Sequence, residues 1–341
     1  MSLIEVNHLY KEFQIAKRQA GLWGALRSLL RREYLTKTAV RDVSFAVNQG
    51  EMVGYVGPNG AGKSTTIKML TGILVPTSGE IRVNNLIPYK ERQKNARQIG
   101  VVFGQRTQLW WDLPTIESFE LLKQVFQIPV HRYKQNMATF ADILGLDEFL
   151  NTPVRQLSLG QRMRADIAAS LLHDPLILFL DEPTIGLDVL AKERMRQFIT
   201  EINRERGVTV ILTTHDMSDI EKLCRRMILI DNGQVMYDGE LVLIKDLFGK
   251  ERVLIVDLEG ETDSFSVAGA QLVKEEGNRK WLRFNRELTT VSQLINRISE
   301  KYEIKDLTIK DTEIEEMIRH IYEKGLAVYE MNSCRIENNK F

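Results

Sequence analysis

The residues with the clearest chemical potential form the glycine-rich segment Gly57-Pro58-Asn59-Gly60-Ala61-Gly62-Lys63-Ser64-Thr65. Its Gly-x-x-x-x-Gly-Lys-Ser spacing is that of a phosphate-binding loop, and it lies between an apolar strand-like run and a helical stretch. In such a loop the backbone N–H groups and the helix N-terminus face phosphate oxygens. We therefore predict nucleotide binding, with Lys63 at the β- and γ-phosphates and Ser64 as a ligand of Mg²⁺.

An acidic pair, Asp181-Glu182, follows the wholly apolar run at residues 176–180. That run predicts a strand buried on both faces, and ligands of doubly wound sheets lie at the carboxyl ends of such strands. We predict that Asp181 holds Mg²⁺ and that Glu182 accepts a proton from an attacking water.

Strand-like and helix-like patterns alternate around these two motifs. Residues 3–13, 39–56 and 208–212 have strand patterns, and residues 111–172 have mostly helical ones. The alternation predicts an α/β fold with a largely parallel sheet and a helical subdomain. After Gly239 the pattern changes, so residues 248–325 are predicted to form a small α+β domain and residues 326–341 a tail.

The composition of the chain argues against several classes of protein. The 341 residues carry 46 basic and 46 acidic side chains, and this balance argues against a nucleic-acid partner. Cys224 and Cys334 are too few for a disulfide framework, which favours a reducing compartment. No apolar run approaches the ~20 residues that a membrane-spanning helix needs, so we expect a chain without its own membrane span.

Four further motifs lie in a fixed order around the first two. They are Gln105, Leu157-Ser158-Leu159-Gly160-Gln161, Gly186-Leu187-Asp188 and Thr213-Thr214-His215-Asp216. Over residues 3–240 the set resembles the nucleotide-binding subunit of an ABC transporter. The resemblance implies an ATP hydrolase whose domain (1–240) has a mixed sheet core, an antiparallel β subdomain and a helical subdomain at about 111–172.

The resemblance also implies roles for single residues near the nucleotide. Gln105 is similar to the glutamine that contacts Mg²⁺, and His215 to the histidine that contacts the γ-phosphate; with Glu182 and Lys63 they complete the catalytic set. Phe13 is the best match for the aromatic ring that stacks on adenine, with Tyr10 as the alternative.

Other residues are implied to act on a second subunit. Ser158, Gly160 and Gln161 resemble the signature that binds the γ-phosphate across a head-to-tail dimer, and Asp188 resembles the aspartate at the dimer seam. The usual Leu-Ser-Gly-Gly-Gln has Leu159 at its third position here. The implied partners are a second, identical ATP-binding subunit and separate membrane permease subunits, which would hold this chain at the cytoplasmic face of the cell membrane.

Several features remain open at this level. Residues 14–37 are predicted to be a basic amphipathic insertion, which either lies at the membrane surface or packs on its own domain. Trp110 and Trp111 either receive a permease helix or pack inside the helical subdomain. The short C-terminal domain resembles the extension of subunits that serve ABC-2 type exporters. Export is thus expected, with import and a soluble ATPase acting on DNA or ribosomes as alternatives.

Overall fold

The computed structural model describes residues 2–16, 34–104, 106–248, 251–260, 265–311 and 314–324. Within these ranges the chain forms two compact units, Met1–Gly239 and Glu240–Phe341. No helix in the described ranges is both long and apolar enough to cross a membrane.

A six-stranded sheet is the centre of the first unit, with the strand order β5-β6-β7-β3-β8-β9. The strands are β3 (Met52–Val56), β5 (Ile99–Phe103), β6 (Ile177–Asp181), β7 (Thr209–Thr213), β8 (Arg226–Asp231) and β9 (Gln234–Glu240). The neighbours from β5 to β8 pair in parallel. The middle strands are buried along almost their whole length, as expected for a sheet covered on both faces. The predicted α/β class is confirmed.

A second, antiparallel sheet of three strands has the order β2-β1-β4. It consists of β1 (Ser2–Ala16), β2 (Tyr34–Asn48) and β4 (Ser78–Val83). At both ends of the predicted insertion 14–37 the residues are strand: 14–16 and 34–37 continue the ladder, with Ala16 opposite Tyr34. Cross-strand pairing therefore extends further than the residue pattern suggested, and the remainder, 17–33, lies outside the described residues.

Helices connect and cover these strands. The first unit contains α1 (Lys63–Leu70), α2 (Arg92–Ala96), α3 (Thr115–Phe126), α4 (Val130–Leu144), α5 (Leu159–Leu171), α6 (Val189–Arg206) and α7 (Met217–Leu223). Helix α4 ends at Gly145 and α6 at Gly207, both in the left-handed conformation that glycine adopts without strain. The helices α3 to α5 occupy the stretch for which a helical subdomain was predicted.

The second unit is a four-stranded antiparallel sheet with helices. Its strands are β10 (Glu251–Leu258), β11 (Gln271–Glu276), β12 (Arg279–Asn285) and β13 (Ile304–Asp311), in the order β11-β12-β10-β13. Its helices are α8 (Leu241–Phe248), α9 (Val291–Ser299) and α10 (Ile314–Lys324). Apolar side chains of β10 and β12 pack against Leu294 and Ile298 of α9 to form a separate core. The tail at 326–341 lies outside the described residues.

Candidate active site

The glycine-rich loop joins the carboxyl end of β3 to α1, in the middle of the six-stranded sheet. Two of its glycines are required by the surrounding backbone. A Cβ on Gly57 would lie 2.5 Å from the Ile230 carbonyl oxygen, and one on Gly62 would lie 2.4 Å from that of Ala39. Gly62 also has a φ of 107°, which side-chain-bearing residues rarely adopt. The residues Pro58, Asn59 and Gly60 between them are exposed, so the crest of the loop is open to a ligand.

Lys63 is the first residue of α1, and its side chain folds back over the loop. Its Nζ donates hydrogen bonds to the carbonyl oxygens of Gly57 at 2.5 Å and Pro58 at 3.2 Å. Burial lowers the pKa of the Lys63 ammonium, and the carboxylates of Glu182 and Asp181 partly offset that effect. The ammonium is thus held at the loop, within the electrostatic reach of both carboxylates.

Asp181 joins the loop to the neighbouring strands. It is the last residue of β6, and its Oδ2 accepts a hydrogen bond from Ser64 Oγ at 3.1 Å. Its Oδ1 accepts a hydrogen bond from Thr213 Oγ1, at the end of β7. A carboxylate and a hydroxyl are thereby placed side by side, which is a donor set that Mg²⁺ prefers.

Glu182 lies one residue further on and contacts His215. His215 Nδ1 donates to Glu182 Oε2 at 2.6 Å, and the two side chains are 65% and 21% exposed. The Glu182 backbone has a φ of 57°, an uncommon value for a residue with a side chain. Its backbone N–H donates to the Thr213 carbonyl at 2.9 Å, which fixes the turn that directs the chain out of the sheet. Strain of this kind is often found at functional positions.

The proposed signature begins α5. Ser158 is the N-cap, and its Oγ accepts from the Gln161 backbone N–H at 3.2 Å. The Gln161 side chain in turn accepts from the Ser158 N–H at 2.9 Å, completing a capping box. In the described residues, none of the hydrogen bonds of Ser158 or Gln161 reaches the glycine-rich loop of the same chain.

Leu159 and Gly186 join the signature to the loop that carries Asp188. The Leu159 Cδ2 lies 2.4 Å from the position that a Cβ of Gly186 would occupy, and Gly186 has a φ of 69°. The unusual leucine is therefore packed directly on the following loop of the same chain. Asp188 caps α6 by accepting the Ala191 backbone N–H at 2.8 Å. The hydrogen bond of the Asp188 side chain is thus made to the start of its own helix.

Sequence reasoning missed a tether between α5 and the segment after Gln105. Asp166 Oδ1 accepts from Thr107 Oγ1 at 2.8 Å and from the Gln108 backbone N–H at 3.0 Å. Burial raises the pKa of the Asp166 carboxyl to about 6, although these two hydrogen bonds act in the opposite direction. The sequence feature that could have indicated this tether is a single acidic residue inside the apolar stretch Ala165-Asp166-Ile167-Ala168.

A second missed group is the buried cluster of Asp219, Arg196 and Thr184. Asp219 accepts from Thr184 Oγ1 at 2.5 Å and from Arg196 Nε at 2.7 Å. Thr184 follows Glu182 closely, and Asp219 follows His215 closely. The cluster therefore fixes the spacing of the two segments that carry the Glu182–His215 contact.

The remaining predicted residues are placed as follows. Phe13 is half-buried in β1, with Lys11 Nζ 5.2 Å from its ring centroid. The hydroxyl of Tyr10 donates to Glu12 at 2.8 Å. Trp110 and Trp111 are 41% and 50% exposed, so plain packing inside the helical subdomain does not account for either. Gln105 lies outside the described residues.

The site fits a nucleotide with its metal ion. A backbone cradle with no room for a side chain at Gly57 or Gly62 suits phosphate oxygens, and Lys63 supplies a cation beside it. Ser64 and Asp181 are the residues that would hold Mg²⁺.

Comparisons with known proteins agree with this geometry. A family model described as ABC transporter matches residues 40–185. The ABC transporter ATP-binding protein NatA of Bacillus subtilis is 35% identical over 214 residues, which cover 63% of this chain and 85% of NatA. The methionine import ATP-binding protein MetN 2 of Enterococcus faecalis is 31% identical over 282 residues, covering 81% of this chain and 75% of that protein.

An export protein and a solved structure complete the comparison. The Nod factor export ATP-binding protein I of Ralstonia nicotianae is 36% identical over 216 residues, covering 62% of this chain and 65% of that protein. The dimeric post-hydrolysis structure of the ATP-binding cassette MJ0796, bound to ADP and Pi, has a TM-score of 0.58 at 26% identity. The match covers 70% of this chain and 98% of that one. With the phosphate loop, the acidic pair and His215 meeting at one edge of such a fold, this ATP-hydrolysing chain belongs to the family of ABC transporter ATP-binding proteins.

Proposed function

We propose that this chain is the motor of a transporter, in which hydrolysis of MgATP drives export through separate membrane permease subunits. The observation that carries the proposal is the convergence of Lys63, Ser64, Asp181, Glu182 and His215 at the carboxyl edge of the parallel sheet. The proposal takes these residues as a phosphate cradle, a metal-binding pair and a carboxylate base, which is the set that ATP hydrolysis needs.

Each of these residues has a proposed task in hydrolysis. The loop from Gly57 to Thr65 binds the phosphates, and Lys63 leaves its two carbonyl partners to bind them. Bound Mg²⁺ would neutralise charge that develops on the phosphates. Glu182 orients the attacking water and accepts its proton, and the Nδ1–H of His215 holds the Glu182 carboxylate in place. Gln105 is proposed as a further contact of the metal ion, and Phe13 as the surface for adenine.

The site is proposed to be completed by a second copy of the chain. Ser158 and Gln161 cap their own helix, and none of their described hydrogen bonds reaches the loop of the same chain. At the start of a helix, the N–H groups of Gly160 and its neighbours can bind phosphate. A head-to-tail pair would place them, with Asp188, at the partner's nucleotide.

The direction of transport has two candidates. Export is supported by the likeness to the Nod factor export protein and by the short α+β unit after Gly239. Import is the second candidate, because the MetN 2 match covers 282 residues and so extends beyond the 239 residues of the first unit. The exposed Trp110 and Trp111 support docking of a permease helix.

The test is affinity purification of the tagged chain from detergent-solubilised membranes, with identification of the co-purifying proteins. Recovery of a multi-span membrane protein is expected, and the family of that protein decides between export and import. A matched sample with Trp110→Ala and Trp111→Ala should lose it. Recovery of ribosomes or DNA without a membrane protein would contradict transport and favour a soluble ATPase. Recovery of the membrane protein would also show that the chain is bound at the membrane, where we propose that it lies on the cytoplasmic face.

A further inference from the structure

Strand β13 is an edge strand of the second unit, and no strand among the described residues pairs with its outer side. In the described part of the chain it pairs only with β10, and residues 305–311 are all exposed. An edge of this kind presents backbone N–H and C=O groups that can join another strand. The Leu307 N–H donates to Asp306 Oδ1 at 2.8 Å, a local hydrogen bond that a joining strand would replace. The strand also carries two apolar side chains, Leu307 and Ile309, which are 38% and 42% exposed.

These two side chains continue the core of the unit to its edge. Leu307 is opposite Val256, and Ile309 is opposite Leu254, in the ladder between β13 and β10. Directly opposed residues of an antiparallel pair share a face, so Leu307 and Ile309 lie on the face that carries the buried Leu254 and Val256. A further strand with apolar residues at matching positions would extend that core.

The sequence of β13 is complementary to itself in one antiparallel register. With Thr308 opposite Thr308 of a second copy, Leu307 is opposite Ile309, and Asp306 is opposite Lys310. Two-fold symmetry repeats both pairs, which gives two apolar contacts on the core face and two opposite-charge pairs on the other face. Moving the centre to Leu307 would place Asp306 opposite Thr308, and the charge pairs would be lost.

The other edge of the same sheet provides an internal comparison. Strand β11 is also an edge strand, with the sequence Gln-Leu-Val-Lys-Glu-Glu at 271–276. A two-fold centre on Val273 places Leu272 opposite Lys274, and a centre on Lys274 places two lysines opposite each other. In these two registers the charges of β11 discourage self-pairing. Only a centre on Glu275 would pair Lys274 with Glu276, and it places two glutamates opposite each other.

We propose that β13 is a homodimer interface, in which the sheets of two copies join edge to edge, antiparallel, with the two-fold axis at Thr308. The occupant of the edge is a second copy of this chain, because the residues on each side of Thr308 match each other in size and charge. The interface contains no nucleotide-binding residue, so the pairing forms without ATP and does not depend on the proposed transport function.

The first experiment measures association of the full-length chain without nucleotide, by sedimentation equilibrium over a concentration series. The wild type is expected to dimerise. Lys310→Asp replaces two attractive pairs with two repulsive ones and should weaken dimerisation about tenfold. The double variant Asp306→Lys with Lys310→Asp restores both pairs with exchanged signs and should recover dimerisation. Lys274→Asp on β11 is the matched control and should leave it unchanged.

The second experiment tests the register by cross-linking. In a Cys334→Ser background, Thr308→Cys places two thiols directly opposite each other, and mild oxidation should give a covalent dimer. Lys310→Cys should not cross-link, because each copy's residue 310 faces residue 306. The proposal would be overturned if the wild type stays monomeric. It would also be overturned if neither Lys310→Asp nor the double variant changes the dissociation constant of the dimer. Dimerisation that appears only after deletion of residues 325–341 would overturn it as well, since that would assign the edge to the chain's own tail.

Discussion

Replacing Asp219 with Asn should destabilise the first unit strongly, because it removes the charge of a buried ion pair and leaves Arg196 in place. The Asp219 side chain is fully buried, and that of Arg196 is 10% exposed. The carboxylate accepts hydrogen bonds from Arg196 Nε at 2.7 Å and Thr184 Oγ1 at 2.5 Å. An amide of the same shape keeps one acceptor but cannot balance the guanidinium.

The magnitude follows from what remains around Arg196. Removal of one partner of a buried pair costs about 3–5 kcal/mol. Glu193 still lies 3.3 Å from the guanidinium, and Ser218 Oγ still accepts a hydrogen bond from it at 2.8 Å. We therefore expect the lower end, about 3 kcal/mol of the free energy of unfolding. For a unit of this size that corresponds to a fall in Tm of roughly 6–12 °C.

The assay is thermal and urea unfolding of the full chain, followed by a signal from the first unit. Glu193→Gln is the matched control, because it removes the half-exposed carboxylate from the same Arg196 and should cost at most about 1 kcal/mol. A loss of less than about 1 kcal/mol for Asp219→Asn would refute the reasoning, since the buried charge would then not need its partner.

Three further predictions concern the loop and its tether. The pKa of Asp166 is raised to about 6 in the folded state. The folded state therefore binds more protons than the unfolded state between about pH 4 and pH 6. The free energy of unfolding should fall by roughly 2 kcal/mol as pH rises through that window. Asp166→Asn should remove this slope in denaturant unfolding, and an unchanged slope would assign it to another group. Lys63→Ala should abolish nucleotide binding measured by calorimetry, and unaltered affinity would contradict the role of the loop. Gly57→Ala places a Cβ 2.5 Å from the Ile230 carbonyl oxygen and should weaken ATP binding at least tenfold. Gly60→Ala has open space around its Cβ but a φ of 88°, and its effect should be milder. A loss for Gly60→Ala as large as that for Gly57→Ala would contradict the expectation that the clash costs more than the backbone strain.

Local sequence was sufficient to predict where the two short motifs of the candidate site lie in the fold, because the geometry of each depends on only a few neighbouring residues. The glycine-rich loop and the acidic pair were predicted from spacing and context, and both lie at the ends of parallel strands. Strand limits shifted by a residue, since β6 runs Ile177–Asp181 and not 176–180. Strand ends depend on neighbours: Leu176 is exposed, and its N–H is paired with Gln98 outside the ladder.

Long-range contacts could not be predicted in the same way. Thr107 is 59 residues from Asp166, and Thr184 is 35 residues from Asp219, so no local pattern specifies these contacts. Strand β13 was missed because its residues are exposed on both faces and show no buried alternation. The ladder between Ala16 and Tyr34 was missed because the basic and apolar residues between them suggested a helix.

The central claim is that Glu182 is the base of an ATP hydrolase, and steady-state hydrolysis by Glu182→Gln tests it most directly. The variant keeps the length of the side chain and the strained backbone, and loses only the ability to accept a proton. Turnover should fall by at least about 100-fold, while ATP binding is retained. Glu205→Gln, at an exposed site on α6, serves as the control and should hydrolyse ATP normally. Hydrolysis by Glu182→Gln within a few-fold of the wild-type rate would contradict the account.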